Sequence, residues 1–240
     1  MKKIIKKTVR IILSPFVLKD YFKFRTNNKR FSLKFNDFYP QIKDKTIKTG
    51  FDTHYVYHTS WAARKLKQIN PEFHTDISSS LYFSGIVSAF VPVKFYDYRP
   101  ADLNLSNLDS YGGDLMKLPF KDNSVKSLSC MHTIEHIGLG RYGDPIDPNG
   151  DIKAAKELIR VTSKEGHLIF VTPVGKPKIE FNAHRIYSYE MILEMFTDLD
   201  LVEFSLITDE GKFIENANVD IVKEQDYGCG CFLFKKNDNN

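Results

Sequence analysis

Cysteine, tryptophan and long apolar runs are scarce in this sequence. The three cysteines, Cys130, Cys229 and Cys231, are too few and too oddly counted for a disulfide framework, and no secretory cleavage site follows the basic start. We therefore expect a reducing, cytoplasmic environment, and we interpret Cys229 and Cys231 as small residues of a buried strand. Because no run reaches the roughly 18 apolar residues of a spanning helix, no membrane span is expected.

Charge is divided unevenly along the chain. Residues 1–50 contain 14 Lys and Arg against 3 Asp and Glu, a balance of +11, whereas the remainder carries 20 against 27, a balance of −7. In this N-terminal arm cations alternate with apolar residues, as in an interfacial amphipathic helix, and Pro15 is expected to break that helix. We predict that residues 1–30 contact an anionic membrane surface, with an arm packed on the domain as the alternative. No nucleic-acid partner is expected.

Strands and helices alternate from residue 51 onward. Runs of apolar and β-branched residues predict strands over 73–77, 93–98, 125–131, 167–173, 201–207 and 229–234, with a further short strand that ends at Asp114. Helical periodicity and caps predict helices over 61–69, 81–90, 151–161 and 188–196. This alternation predicts one α/β domain over residues 51–240, a Rossmann-like three-layer sandwich with a mostly parallel, seven-stranded sheet.

Polar motifs follow the predicted strands in a recognisable order. The order is Asp76-Ile77-Ser78-Ser79-Ser80, then Asp97, then Gly113-Asp114, then Leu118-Pro119-Phe120. It resembles the pattern of class I S-adenosylmethionine-dependent methyltransferases over about residues 55–236. The blocks 132–161 and 174–188 resemble more closely an uncharacterised-domain family of that superfamily, which is often associated with surface-polysaccharide genes. The resemblance implies a class I methyltransferase sheet and S-adenosylmethionine as cofactor.

The resemblance also implies cofactor contacts for particular residues. Asp97 is expected to accept hydrogen bonds from the ribose hydroxyls, and Asp114 is expected near the adenine amino group, with Leu115 packing on the ring. Asp76 is expected to be the acidic residue of the first turn.

That first turn departs from the family pattern. It has Ser78, Ser79 and Ser80 where a glycine-rich turn is usual, and no glycine occurs until Gly85. We expect the three serines to present backbone amides to the cofactor. The departure equally favours the alternative of a non-catalytic scaffold in glycan assembly.

His132, Glu135 and His136 follow the strand 125–131, where open α/β sheets place their ligands. One interpretation makes them catalytic, with a histidine as the general base beside a methyl acceptor. A second is a zinc hydrolase, because His-x-x-Glu-His matches an inverted zinc-peptidase motif. The third is a purely structural cluster. We expect methyl transfer without a metal.

Two further segments carry candidate acceptor contacts. The glycine-rich loop 138–150 is long enough for a lid, and Arg141, Tyr142 and Asp144 are its candidate substrate-binding residues. After the strand 167–173, Asn182 and Arg185 are candidates for an anionic or polar group, and His184 is a third candidate base beside His132 and His136. The predicted function is O-methylation of a saccharide or carrier-linked glycan precursor.

Overall fold

The computed structural model describes residues 15–237. The chain divides into two units between Phe51 and Asp52. In the described part of the first unit, helix α1 (Pro15–Asn27) is followed by a 3-10 turn (Phe35–Asp37). Pro15 begins α1, because a proline at the first helical position costs no hydrogen bond. The predicted helix before Pro15 lies outside the described residues, and the membrane contact stays a prediction.

No helix within residues 15–237 is long and apolar enough to cross a membrane.

The second unit is built on one eight-stranded sheet with the spatial order β3-β2-β1-β4-β5-β10-β8-β9. Its strands are β1 (His74–Ile77), β2 (Val93–Asp97), β3 (Leu108–Gly112), β4 (Val125–Met131), β5 (Thr162–Val174), β8 (Asp200–Ile207), β9 (Phe213–Ile214) and β10 (Gly228–Lys235). Strands β3, β2, β1, β4 and β5 are parallel, whereas β10 is antiparallel to both β5 and β8. The predicted mostly parallel sheet is confirmed, with β9 as an additional edge strand.

Two strands lie outside this sheet. β6 (Lys178–Glu180) and β7 (His184–Ile186) form a separate antiparallel hairpin. The sequence analysis missed this hairpin because its strands are short and polar. The hairpin matters for function, since β7 carries two of the candidate site residues.

Four helices flank the sheet: α2 (Thr53–Ile69), α3 (Leu81–Val87), α4 (Gly150–Val161) and α5 (Tyr189–Met195). The prediction that α2 begins near Trp61 was wrong. Asp52 is its N-cap, and the Asp52 carboxylate accepts a hydrogen bond from the Tyr55 amide at 3.0 Å. The additional turns bring His54 and His58 onto the same helix.

The core has two layers, one on each side of the sheet. Successive residues of β5 point to opposite layers, with Phe170 in one and Val171 in the other. Leu158 of α4 packs in the first layer, and Trp61 of α2 packs in the second. The three-layer arrangement leaves the carboxyl edge of the parallel strands uncovered, which is where open α/β sheets bind ligands.

Candidate functional site

A cavity of about 650 Å³ opens at the carboxyl edge of the sheet. Ligand sites in proteins typically measure about 300–1,000 Å³, so the volume suits a small molecule or cofactor. The walls come from the start of α2, the turns after β1 and β4, the loop before α4, the β6–β7 hairpin and the segment before β10. The lining residues are Asp52, His54, Tyr55, Ser78, Ser79, Ser80, Met131, His132, Glu135, His136, Arg141, Tyr142, Ala183, His184 and Tyr227.

The turns after β1 and β4 are held together at the cavity wall. Ser78 and His132, which directly follow these neighbouring strands, both have left-handed backbone conformations, with φ of 55° and 53°. Ser79 Oγ accepts a hydrogen bond from the Met131 amide at 3.0 Å, and Thr133 Oγ1 donates one to the Ser78 carbonyl at 3.0 Å. Left-handed non-glycine residues are strained and concentrate at functional sites. The turn formed by Ser78, Ser79 and Ser80 is therefore held in a specific conformation beside the cavity.

His132 is oriented by a buried carboxylate. Its Nδ1 lies 3.0 Å from Glu135 Oε1, and Glu135 is 1% exposed. Burial by itself raises the pKa of Glu135. The hydrogen bond from His132 and the electrostatic interactions with His132 and His136 lower the pKa by more, so the net shift is downward. Glu135 is thus an ionised acceptor that keeps the His132 proton on Nδ1. The other ring nitrogen, Nε2, carries the lone pair.

His136 Nδ1 has two neighbours. It lies 2.6 Å from the Ala183 carbonyl oxygen, an acceptor, which favours the proton on Nδ1, and the Arg141 guanidinium lies 3.2 Å from the same nitrogen and donates to the same carbonyl at 3.0 Å. Its Nε2 lies 3.8 Å from Glu135 Oε1. Burial lowers the pKa of His136 more than Glu135 and the Ala183 carbonyl raise it, and Arg141 lowers it further. His136 is therefore neutral near pH 7, with a lone pair on Nε2.

The candidate base His184 on β7 and the candidate substrate contact Asn182 on the turn before it are placed differently from each other. His184 lines the cavity, where its ring packs against Tyr227 with centroids 4.9 Å apart. Its Nε2 lies 3.5 Å from the exposed carboxylate of Glu180. Asn182 is exposed at the hairpin turn and is not among the cavity residues.

Arg185 does not face the cavity, which corrects its assignment as an anion-binding residue. It is 5% exposed, and its guanidinium donates to the Ile137 carbonyl at 2.7 Å. Longer contacts of 3.4 Å reach the carbonyls of Glu135 and Pro148 and the carboxylate of Asp151. Because these internal acceptors occupy the guanidinium, Arg185 holds the loop and turn around the cavity in place.

Asp144 also has a structural role. Its carboxylate accepts hydrogen bonds from the amides of Gly138 (2.8 Å), Gly140 (3.3 Å) and Tyr142 (3.2 Å), so it organises the loop between β4 and α4. Gly138 has φ of 79°, and a Cβ there would lie 2.1 Å from the Asp147 carbonyl oxygen. The loop is therefore a folded cover whose Arg141 and Tyr142 reach the cavity.

Two smaller pockets adjoin the main cavity on the side of β2 and β3 and share Ser78 and Tyr142 with its lining, and we call them its extensions. The first measures about 110 Å³ and is lined by Asp97, and the second measures about 40 Å³ and is lined by Asp114 and Leu115. Asp97 Oδ1 accepts the Arg99 amide at 2.7 Å, and Asp114 Oδ1 accepts the Met116 amide at 2.9 Å. Both carboxylates thus shape their turns as well as facing the extensions.

Comparison with known proteins places the fold. The family model described as "Caenorhabditis protein of unknown function, DUF268" matches residues 121–227. No curated protein matches the chain. Among solved structures, the YcgJ protein from Bacillus subtilis is similar with a TM-score of 0.55 at 13% identity, covering 76% of this chain and 99% of its own.

Two other similar structures are described as methyltransferases. One is a candidate sarcosine dimethylglycine methyltransferase from Galdieria sulphuraria, with a TM-score of 0.55 at 14% identity, covering 76% of this chain and 86% of its own. The other is a candidate methyltransferase from Bacillus halodurans, with a TM-score of 0.51 at 14% identity, covering 74% of this chain and 99% of its own. The fold is that of the Rossmann-like methyltransferases. At these identities the similarity shows the fold alone.

The residues at the edge of this methyltransferase fold suit S-adenosylmethionine, the cofactor that the fold implies. Asp97 ends β2 at an extension of the cavity, and Ser78, Ser79 and Ser80 line the main cavity beside it. The extension at Asp114 is the smaller of the two, at about 40 Å³. Tyr142 lines the main cavity and both extensions.

Asp76, assigned to the cofactor by resemblance, lies beneath the turn and is fully buried. Its carboxylate accepts hydrogen bonds from Ser129 Oγ at 2.6 Å and from Ser84 Oγ. Burial raises the pKa of Asp76 to about 6, against hydrogen bonds that lower it. Asp76 is thus part of the support of the turn and is not among the cavity residues.

We predict a pH signature of Asp76 in stability. The pKa is about 6 in the folded state and near its ordinary value of 3.8 in the unfolded state, so the folded state binds more protons between these values. Stability therefore falls as pH rises from about 4 to about 6, by roughly 3 kcal/mol for two pKa units. The Asp76→Asn variant lacks this fall in urea denaturation series at pH 4 and pH 7. Parallel pH profiles for the two proteins would contradict the assignment.

The sequence analysis missed the cavity residues of α2 and of the segment before β10. Burial lowers the pKa of His54 to about 4, with a smaller electrostatic contribution from His132, which keeps this cavity histidine neutral. Tyr55 packs on His132 with ring centroids 5.5 Å apart, and Tyr227 packs on His54 at 5.2 Å. One signal was present in the sequence: His54 and His58 have the four-residue spacing that places two side chains on one helix face.

Proposed function

We propose that this protein is an S-adenosylmethionine-dependent methyltransferase that acts on a hydroxyl of a saccharide or carrier-linked glycan precursor. One observation supports it above the others. Ser78, His132, His136 and Tyr142 line both the main cavity and the extension at Asp97. Two histidines therefore stand at the junction of the space for a methyl donor and the space for an acceptor.

His136 is the proposed general base. S-adenosylmethionine, when bound, supplies an electrophilic methyl group for an in-line displacement. His136 is neutral, and its Nδ1 proton is held by the Ala183 carbonyl, so Nε2 accepts the proton of the acceptor hydroxyl. The resulting imidazolium lies 3.8 Å from the Glu135 carboxylate, which stabilises its charge. Precise placement of the acceptor between the cavity walls supplies the rest of the catalysis.

The cavity suits a polar, hydroxyl-rich acceptor. Tyr55, Tyr142 and Tyr227 combine flat apolar rings with hydroxyls, and Asp52 and Arg141 add an acceptor and a donor of opposite charge. Aromatic faces beside hydrogen-bonding groups match the alternating C–H and O–H surfaces of sugars.

A second candidate is a scaffold that keeps the fold and has lost the donor. The engagement of Asp97 by the Arg99 amide and the narrow space at Asp114 favour it. The two candidates make opposite predictions for cofactor binding.

The discriminating experiment is thermal melting of the full chain with S-adenosylhomocysteine. At 100 times its Kd, the ligand is expected to add about 2.7 kcal/mol, or roughly 5–10 °C for a domain of this size. The Asp97→Ala variant is expected to lose the shift, because the carboxylate at the ribose position is gone. Asp102→Ala is the matched control, since Asp102 is exposed and lines neither extension.

The outcomes separate the candidates. A shift that Asp97→Ala loses and Asp102→Ala keeps supports the methyltransferase. No shift of the wild type at millimolar ligand would leave the scaffold as the function.

A further inference from the structure

Three metal-ligating side chains from distant parts of the chain meet beside the main cavity, where His54 and His132 line the wall and Cys229 is buried. His54 begins α2, His132 follows β4 and Cys229 lies at the start of β10. One ligand atom from each lies within 4.8 Å of the other two. This is the one such group of three among residues 15–237. The cluster differs from the His-x-x-Glu-His motif, because it leaves out His136.

The distances suit a shared ion. Two atoms that each lie about 2.0–2.3 Å from one tetrahedral ion are roughly 3.3–3.6 Å apart. His132 Nε2 and Cys229 Sγ are separated by 3.4 Å. His54 is half-buried at the first turn of its helix, and one of its ring nitrogens lies within 4.8 Å of the other two ligand atoms.

The hydrogen bonding of His132 is that of a metal ligand. Glu135 Oε1 accepts the Nδ1 proton at 3.0 Å, so the Nε2 lone pair is directed toward Cys229. Glu135 is in turn approached by Thr172 Oγ1 at 3.5 Å. A carboxylate behind a histidine ligand is the arrangement that fixes the ring and raises its basicity in metal sites.

A further histidine lies beside this cluster. His58 Nδ1 contacts the His54 carbonyl at 2.7 Å, which places the proton on Nδ1. His58 Nε2 is buried and has no hydrogen-bond partner within the described part of the chain. Its ring lies against His132, with centroids 4.9 Å apart. A buried lone pair without a hydrogen-bond partner is costly. It indicates that this region is built around a group that the chain itself does not supply.

We propose that His54, His132 and Cys229 bind a zinc-class divalent ion whose fourth position opens to the main cavity. Two imidazoles and one thiolate form a borderline-soft donor set, which suits zinc and not magnesium or calcium. Binding breaks the S–H bond of Cys229, and its proton leaves to solvent. Three protein ligands with one open position are typical of zinc sites that bind a substrate oxygen.

The site adjoins the proposed cofactor space, because His132 also lines the extension at Asp97, but its ligands do not include Asp97 or the serines of the turn after β1. It revises the expectation from sequence that no metal is involved. Cys229 and Cys231 share one short segment and do not complete a site by themselves. The partners come from α2 and from the turn after β4.

The test is metal binding by the full chain, purified without a metal-affinity tag. We expect about one equivalent of zinc by mass spectrometry, and a thiolate-to-cobalt charge-transfer band after exchange with Co²⁺. Cys229→Ser removes the band. Cys130→Ser is the matched control and keeps it, because Cys130 is an equally buried thiol in the core layer on the opposite side of the sheet.

Two further variants keep the test valid if Cys229→Ser fails to fold. His54→Ala, at a half-buried position, is expected to weaken zinc binding at least tenfold in competition with a chelator. Glu135→Gln is expected to weaken it about 10–100-fold through loss of the carboxylate behind His132. Absence of zinc and of the cobalt band in the wild type, or equal binding by His54→Ala and the wild type, would overturn the proposal and leave a sulfhydryl–imidazole hydrogen bond.

Discussion

The Arg185→Met variant is expected to lose about 3–5 kcal/mol of unfolding free energy, the cost of breaking a buried ion pair by removal of one partner. The substitution keeps the apolar stem of the side chain but removes the donor to the Ile137 carbonyl at 2.7 Å. It also leaves Asp151, which is 6% exposed, without its guanidinium partner. The melting temperature is expected to fall by roughly 6–20 °C for a domain of this size.

Arg64→Met is the matched control for this prediction. Arg64 is exposed on α2, so the same chemical change there is expected to stay within about 0.5 kcal/mol. Chemical denaturation of both variants measures the difference. Unchanged stability of Arg185→Met together with weaker ligand binding would instead return Arg185 to the acceptor site, as the sequence alone suggested.

The His136→Gln variant is expected to lose about 10²–10⁴-fold in kcat, the usual contribution of a positioned general base. Glutamine keeps a polar side chain at the junction of the cavity and its extension but cannot take up the proton of the acceptor. Binding of S-adenosylhomocysteine is expected to change much less than kcat, since the ribose contact is assigned to Asp97 and His136 only lines the same extension. The rate is measured as S-adenosylhomocysteine formed from S-adenosylmethionine, with nucleotide-diphosphate sugars as acceptor probes.

His184→Gln is the control for the choice of base. His184 lines the same cavity but not the extension at Asp97, so we expect less than a tenfold loss there. A larger loss in His184→Gln than in His136→Gln would move the base to the β6–β7 hairpin. Equal binding of S-adenosylhomocysteine by both variants separates a chemical defect from a folding defect.

Much of the fold followed from local pattern. The strand predicted over 125–131 coincides with β4, and the helix predicted over 151–161 differs from α4 by one residue. Alternating apolar residues and capping side chains act over a few residues, so they are readable from the chain itself. The start of α2 was not readable in this way, because Thr53 to Ser60 lacks a clear apolar stripe and only the Asp52 cap marks its beginning.

The candidate site also has a part that local sequence pattern predicts and a part that it does not. The turn after β1 and the cluster after β4 were predictable as neighbours, because parallel strands bring their carboxyl ends to one edge of the sheet. Burial decided the roles of Arg185 and Asp76. The groups that surround a charged side chain determine whether it can bind a ligand or instead stabilises the fold.

By itself, the sequence determined the three-layer α/β class, the order of the parallel strands' motifs and the edge at which His132, Glu135 and His136 stand. Only the tertiary structure decided that His54 and Cys229 meet His132 there. Cys229 is 97 positions from His132 along the chain. Periodicity and capping report on neighbours within a few residues, whereas a contact of this separation exists only once β10 has paired between β5 and β8.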